Sequence, residues 1–398
     1  MTAITLDDVR AWDAQDSLRA HRDAFALPPG VTYLDGNSLG PPPRATATRL
    51  EELVHGAWGT GLIRSWNDAG WIAAPQRVGA KIARIVGAQA DEVIVADSTS
   101  VNLFKLLGAA LRLRPGRSVI LTEAGNFPTD RHVADGLAAL LPGVEVQAVP
   151  AEALRAAMGP HVAAVLLCHV HYLTGARHDM AALTGAAHAA GALTVWDLSH
   201  SAGAVPVALN AGGAGLAVGC GYKFLNGGPG APAFLYVARH LQEAAQSPLQ
   251  GWIGHADPFG FSDIYAPAPG IARFLSGTPG ILGLTALEAG VDQFLTAGQA
   301  ALYAKSALMF DLFATRTAAV CPDLELLTPG DPANRGSHIS FRHPNASALM
   351  KCLIASGIIG DYRPPDVLRF GLTPLYTRYE DIWHAVAALA KEAESASF

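Results

Sequence analysis

From about residue 91 the chain alternates short apolar runs with stretches of helical period, and this alternation restricts the fold more than any other feature. EVIVA (92–96), SVILT (118–122), VEVQAV (144–149), VAAVLLC (162–168), ALTVWD (192–197) and GLAVGC (215–220) read as strands. Between them lie helix candidates such as VNLFKLLGAALRL and DMAALTGAAHAAG. Repetition of strand, helix and strand with nearly continuous apolar strands predicts a mainly parallel sheet covered on both faces, an α/β fold. Ligands of such sheets bind at the carboxyl ends of the strands, so the residues just after each apolar run carry the most functional weight.

At 398 residues the chain exceeds what one hydrophobic core usually supports. A large domain with a smaller one is expected: a helical and extended segment over 1–60, a large domain over 61–285 and a small C-terminal α/β domain over 286–398. The first segment contains the extended stretch VTYLDGNSLG. The region 245–280, rich in Gly, Pro and aromatics, reads as a long functional loop, followed by a helical stretch near 281–318. HISFRHP, NASALMKCLIASG and VLRFGL then suggest the strand, helix and strand of the small domain.

With 50% hydrophobic and 16% charged residues, the composition is that of a well-buried globule and not of a disordered chain. The net charge of −6 and the absence of a Lys/Arg block argue against nucleic acid or an anionic membrane as partner. There is no run of about 18 apolar residues to span a bilayer. The polar, acidic N-terminus does not resemble a signal peptide. Cys168, Cys220, Cys321 and Cys352 lie far apart, form no CxxC pair and read as reduced core thiols of a cytoplasmic protein.

The strand ends carry the chemistry. Of six lysines, most are expected on helix faces open to water, but Lys223 directly follows the apolar run GLAVGC and is wrapped in glycine. A charged side chain seldom sits there unless it is paired or its chemistry requires it. After ALTVW come Asp197 and His200; after EVIVA, Asp97, Ser98, Thr99 and Ser100 lead into a helix; after SVILTE, GNFPTD ends in Asp130. An acid, a lysine, a hydroxyl-rich helix start and an aromatic therefore share one sheet edge. That set fits pyridoxal phosphate, whose aldehyde needs a lysine amine, whose ring nitrogen needs a carboxylate and whose phosphate needs hydroxyls and free N–H groups. Lys223, Asp197, Thr99 with Ser100, and Phe127 (as ring cover) take these roles, and the glycines flanking Lys223 would let the backbone approach the cofactor.

Taken singly, each residue has a plainer reading. Ser98 or Thr99 is an N-cap, Asp197 a turn aspartate, His200 a core histidine and Lys223 half of a structural ion pair. Their coincidence in order is what favours the cofactor. CHVH invites a metal, but strand alternation does not bring Cys168, His169 and His171 to one face, and no other Cys/His cluster completes a zinc set, so no metal is expected. NGGPG lacks the lysine-serine ending of a nucleotide loop and reads as a turn.

DSTSVNLFK, GNFPTD, HYLTGARHDM, WDLSHSAGA, GYKFLNGGPG, GWIGH, FLSGTPGIL and LRFGLTPLYTRYED occur in this order over most of the chain. Together they resemble the kynureninase family, of the bacterial kind. The resemblance implies fold type I pyridoxal-phosphate architecture (the aspartate aminotransferase-like large domain), a homodimer with active sites at the subunit interface, and hydrolysis of L-kynurenine to anthranilate and L-alanine. It implies that Lys223 is the Schiff-base lysine, that Tyr222 touches the phosphate and relays protons, and that Asp197 and His200 flank the ring. Thr99 and Ser100, with Phe127, Pro128, Thr129 and Asp130, match the near side of the cofactor site. Trp252 and Thr278 match residues that reach the phosphate from the partner subunit. Arg369 matches the arginine that grips the substrate carboxylate, and Asn37 and Ser38 line the substrate side.

One departure concerns the aryl ring, where animal members carry a histidine. RSWNDAGW has none, no histidine falls between His55 and His132, and Trp66 becomes the expected ring neighbour, which favours kynurenine over its 3-hydroxy form. The competing readings are a class V aminotransferase, a cysteine desulfurase with Cys321 as its only candidate nucleophile, and a non-catalytic binding protein. The GWIGH and SGTPG segments speak against the first, the place of Cys321 at the start of an expected strand and not on a mobile loop against the second, and the intact Lys223, Asp197 and Arg369 set against the last.

Overall fold

The computed structural model describes residues 4–396; the outermost residues of the polar N-terminus and of the C-terminal range lie outside the described residues. Its strands are Thr32–Tyr33 (β1), Val93–Val95 (β2), Val119–Glu123 (β3), Glu145–Val149 (β4), Val162–Cys168 (β5), Leu193–Asp197 (β6), Leu216–Gly219 (β7), Phe234–Val237 (β8), Glu325–Leu326 (β9), His338–Arg342 (β10), Ile358–Ile359 (β11), Asp361–Arg363 (β12) and Val367–Gly371 (β13).

All six apolar runs singled out in the sequence form strands of one sheet, in the order β2-β8-β7-β6-β5-β3-β4. The pairings among β3 to β7 are parallel, as continuous apolar strands require, and every residue of β5 and β6 is buried. Each fully buried Val or Leu there contributes roughly 1.5–3 kcal/mol. The strand β8 is not among the expected six. It runs antiparallel to both β7 and β2, which ties β2 to the sheet.

Helices pack on the sheet where their starts are capped. Ser98 Oγ accepts the Val101 N–H at 3.3 Å and opens the helix Thr99–Leu113, and Asp179 Oδ1 accepts the Ala182 N–H at 2.9 Å and opens Met180–Ala189. The helix Ala74–Val86 stops at Gly87, whose φ of 65° lies in the left-handed region that ends helices. The helical stretch expected near 281–318 is two helices, Ile281–Ala297 and Gln299–Val320, broken at Gly298 with φ 80°.

A second core lies around the antiparallel sheet β12-β13-β10-β9. Met309, Phe310, Phe313, Phe341, Leu353, Phe370 and Leu389 fill it, together with Val9 and Leu34 from the N-terminal segment. That segment is fastened there by polar contacts as well. The Asp13 carboxylate accepts the Tyr379 and Glu380 N–H groups at 2.8 and 2.9 Å, capping the last helix, and β1 pairs in parallel with β11. The chain between them, residues 35–40, is thereby laid across the carboxyl edge of the large sheet, where the Gly40 N–H donates to the Tyr222 carbonyl at 2.9 Å.

Candidate active site

Parallel pairing of β5 with β6 sets Cys168 beside Asp197 at the strand ends. Asp197 Oδ1 accepts both the Ser199 N–H, at 2.8 Å, and the Ser199 hydroxyl, at 2.6 Å. The Cys168 thiol bridges to Asp130 Oδ2 at 3.4 Å and lies 3.8 Å from Asp197 Oδ2. Asp130 reaches this point from the first turn of the helix Pro128–Leu140. Burial, and then the neighbouring Asp197 charge, push the Asp130 carboxyl well above the usual carboxylate range. Among the described residues, neither carboxylate has a Lys, Arg or His ion-pair partner. Two buried acids with nothing cationic in contact suit a protonated ring nitrogen.

Lys223 stands in the turn after β7. Its Nζ lies 3.0 Å from His200 Nε2, 5.7 Å from the Phe127 ring centre and 5.8 Å from that of Tyr222. Burial first, then the charges of Lys223 and Arg369, hold the His200 pKa well below its usual value, so the ring is neutral. Burial also pushes the Tyr222 phenol up to about 12, which keeps it a proton donor at neutral pH. Gly221 and Gly40 admit neighbouring backbone at the Lys223 turn. A Cβ on Gly221 would lie 2.4 Å from the Pro232 carbonyl, and one on Gly40 would lie 2.4 Å from that of Lys223. They make room for neighbouring backbone of the protein itself.

Thr99 and Ser100 begin the helix Thr99–Leu113, and among the described residues their N–H groups and hydroxyls make no hydrogen bond. Four free donors at a helix start form an anion site. The backbone just before it is held in place: Asp97 has φ 42°, a left-handed conformation, and its Oδ2 accepts from Lys105 Nζ at 2.5 Å. The same amine donates to the Phe274 carbonyl at 2.7 Å. Lys105 and Lys305 are both buried, contrary to the expectation that most lysines other than Lys223 face water, because each has an acid partner, Asp97 and Asp16, within reach.

Arg369, from β13, is buried, and four of its five N–H donors are engaged. Nε and Nη2 close on Asp361 at 2.9 and 2.5 Å, Nη2 also donates to Ser38 Oγ at 3.0 Å, and Nη1 donates to the Tyr172 carbonyl at 2.5 Å. The Tyr172 ring meets Phe127 edge-on at 5.2 Å, which links this cluster to the ring below Lys223. Asn37 is buried against Gly371, with both amide atoms unpartnered.

The structure thus gathers Lys223, Tyr222, Asp197, His200, Phe127, Asp130, Arg369 and Ser38, with Asn37 close behind and Thr99 and Ser100 at the far end. Pro128 and Thr129 belong to the first turn that carries Asp130, Pro128 exposed and Thr129 half-buried. Three residues stay outside this cluster within one chain. Trp252 packs on Phe259 at 5.8 Å, exposed; Thr278 is exposed on the rim of a cavity of about 300 Å³ that Asp97 and Gly230 also line; Trp66 meets Trp71 edge-on at 5.7 Å. The CHVH residues diverge: Cys168 joins the carboxylates, His169 packs on Trp196 and His171 contacts the Gly125 carbonyl. Cys168, Cys220 and Cys321 are buried free thiols, but Cys352 is exposed, since it lies on the outer face of the helix Ala346–Ala355.

Cys168, Tyr172, Asp361 and Arg363 were missed in the sequence. Cys168 ends an apolar strand, the very position given weight elsewhere, and DYR places Asp361 and Arg363 on one face by alternation. Nothing in the sequence marks Tyr172, which acts through its carbonyl.

The sheet order and the site at its carboxyl edge define the fold type I architecture of pyridoxal-phosphate enzymes. Over 99% of this chain the fold superposes on the whole of the apo cysteine desulfurase from Thermococcus onnurineus with a TM-score of 0.81, at 18% identity. A C-DES mutant solved with glycine covalently linked to its PLP cofactor gives a TM-score of 0.81 over 93% of this chain and 98% of its own, at 17% identity. Residues 302–389 match the kynureninase C-terminal domain family. The kynureninase of Deinococcus radiodurans is 51% identical over 397 residues, covering 98% of this chain and 97% of that one. The chain belongs to the kynureninase family.

Proposed function

We propose that this protein hydrolyses L-kynurenine to anthranilate and L-alanine with pyridoxal phosphate as cofactor. The observation that carries the proposal is the single sheet edge on which Lys223, the Asp197 and Asp130 acids and the unbonded helix start at Thr99 face the Arg369 cluster, in a chain half identical to a kynureninase. The residues fit the cofactor: Lys223 for its aldehyde, Asp197 for its ring nitrogen, Thr99 and Ser100 for its phosphate, His200 and Phe127 beside the ring. When bound, the cofactor supplies an electron sink for the carbanion formed at the substrate Cα.

The chain's own groups do the rest. Asp197, oriented by two hydrogen bonds from Ser199, keeps a proton on the ring nitrogen. Lys223, which would hold the cofactor's aldehyde, would take the substrate Cα proton and later return one. Neutral His200, 3.0 Å away, hydrogen-bonds to the Lys223 amine and fixes its direction. Tyr222, a phenol at neutral pH, donates protons as water adds to the γ-ketone and the Cβ–Cγ bond breaks. Arg369 with Ser38 and Asn37 forms the carboxylate side, and Trp66, which lies outside this cluster within one chain, would serve as the aryl neighbour that favours kynurenine over its 3-hydroxy form only from a second copy.

We further propose a cytoplasmic homodimer in which Trp252 and Thr278 reach the phosphate of the second copy. Both are exposed, and the exposed apolar residues Trp58, Leu62, Ile63, Phe259, Phe261 and Ile264 offer a surface for that copy. No helix among the described residues is long and apolar enough to cross a membrane. The small domain is proposed to begin at Gly298, later than position 286, because Leu284, Leu287, Val291 and Phe294 pack into the large core. A desulfurase reading lacks its nucleophile: Cys321 is buried in the second core, where burial pushes its thiol up to about 11.

The test is to mix the protein, pyridoxal phosphate and L-kynurenine and follow anthranilate fluorescence and alanine. Both products in equal amount support the proposal. A yellow solution that yields no anthranilate would retain the cofactor and remove the substrate.

A further inference from the structure

A cavity of about 190 Å³ adjoins residues 204–206, which follow the turn that carries His200. Tyr303, Arg335 and Arg177 line it as well, and no residue of the cluster around Lys223 does. Its volume equals that of about six waters, so its ligand is a small molecule.

Two polar groups there are unspent. Arg177 is half-buried, and its Nε and Nη2 both donate to the Ala333 carbonyl, at 3.0 and 2.5 Å. That acceptor is neutral, and among the described residues no carboxylate pairs with Arg177. Asp331 and Asp179 are near enough for their charges to act on it, but both lie beyond ion-pair distance and are exposed. With two of five N–H donors used, Arg177 keeps three, including both on Nη1. The second group is the Tyr303 phenol, whose oxygen is buried without a hydrogen-bond partner. It stands in the first turns of the helix Gln299–Val320, close enough to Arg177 to feel its charge, and burial keeps it protonated through neutrality. Arg335, by contrast, is committed. It closes on Asp311 at 2.9 Å, donates to the Gly330 carbonyl and lies 3.7 Å above the Phe310 ring.

A partly desolvated guanidinium without an acid and a phenol without an acceptor are both satisfied by one species, an oxygen anion. The rest of the wall, from Ala204, Val205, Pro206, Ala307 and Pro332, is apolar and suits a carbon body on that anion. We propose that this cavity binds a small carboxylate with an apolar body, its oxygens held by Arg177 and the Tyr303 hydroxyl. The site takes no part in the reaction and does not depend on kynurenine being the substrate.

The test uses the holoenzyme, with benzoate and its uncharged counterpart benzamide titrated by calorimetry. Benzoate should bind with a Kd on the order of 1 mM or tighter. Benzamide should bind about tenfold more weakly or worse. In Arg177→Gln the benzoate affinity should fall about tenfold or more, and the preference over benzamide should vanish. Tyr303→Phe removes an oxygen that has no partner within the protein, so its urea midpoint should match or exceed that of wild type while benzoate binds about fivefold more weakly. Should Arg177→Gln fail to fold, Tyr303→Phe decides alone. The visible absorbance of the bound cofactor should be the same in both variants as in wild type, which separates this cavity from the cleft at Lys223. Benzoate affinity that neither substitution changes, or benzamide binding to wild type as tightly as benzoate, overturns the inference.

Discussion

Lys223 Nζ lies 3.0 Å from His200 Nε2, within hydrogen-bonding distance. His200 is buried among positive groups and stays neutral, and its Nδ1 has no partner, so Nε2 is the ring atom that engages the amine. The ring contributed by the end of β6 thus aims the amine contributed by the end of β7. Two adjacent strand ends position the group that must both hold the cofactor and move a proton.

Removing that amine separates its roles from stability. Lys223 is half-buried and makes no ion pair, so Lys223→Ala should leave the denaturant midpoint nearly unchanged. Turnover and the visible absorbance of the bound cofactor should disappear together. Anthranilate release at even a tenth of the wild-type rate would show that another group does this work.

Much of this site is legible in the sequence because strand ends are. The apolar runs set the sheet, and the register of a parallel sheet carries Asp197, Cys168 and Lys223 to one edge without further information. What stays hidden depends on contacts between distant segments. Nothing local shows that Asp361 closes the Arg369 fork, since the pairing depends on β12 folding back along β13. Nor does the N-terminal stretch show that Gly40 will hydrogen-bond to Tyr222, which requires β1 to pair with β11 some 320 residues later. Lys105, in the middle of an apolar helix, looks like a solvated charge until Asp97 is seen to bend back to it.

That lysine carries the next expectation. Lys105 is fully buried and holds the left-handed Asp97 directly before the helix start at Thr99. Lys105→Met keeps the packing and removes the charge. Because Asp97 is one-third exposed, water takes up part of its lost partner, and the loss should be about 1–3 kcal/mol in urea unfolding. Loosening of the loop should also weaken binding of pyridoxal phosphate to the apoprotein, more than that of pyridoxal without its phosphate. Equal weakening of both ligands would show that Lys105 supports the fold in general and not the phosphate end.

Asp35 gives the cluster a pH dependence. Its carboxyl is pushed up to about 7, first by burial and then by the Asp361 charge, against the opposing pull of Ser38, Arg369 and Arg363. Tyr33 and Tyr376 also face it, and both phenols stay protonated through neutrality. Below pH 7 Asp35 is neutral, and Arg363 and Arg369 outweigh Asp361 by one charge. Above pH 7 Asp35 ionises and cancels that excess. Affinity for an anionic substrate should therefore fall, and KM rise, as pH passes upward through 7, while Asp35→Asn flattens the profile. The stability sign follows from the same raised pKa: the folded state binds the proton that the unfolded state, with its ordinary value near 4, has released. Asp35 thus favours the folded state at low pH, and that contribution is lost between about pH 4 and 7. Measuring KM for kynurenine and the urea midpoint from pH 5.5 to 8.5, in wild type and Asp35→Asn, checks both signs, and a KM that falls across neutrality in wild type would place the titrating group elsewhere.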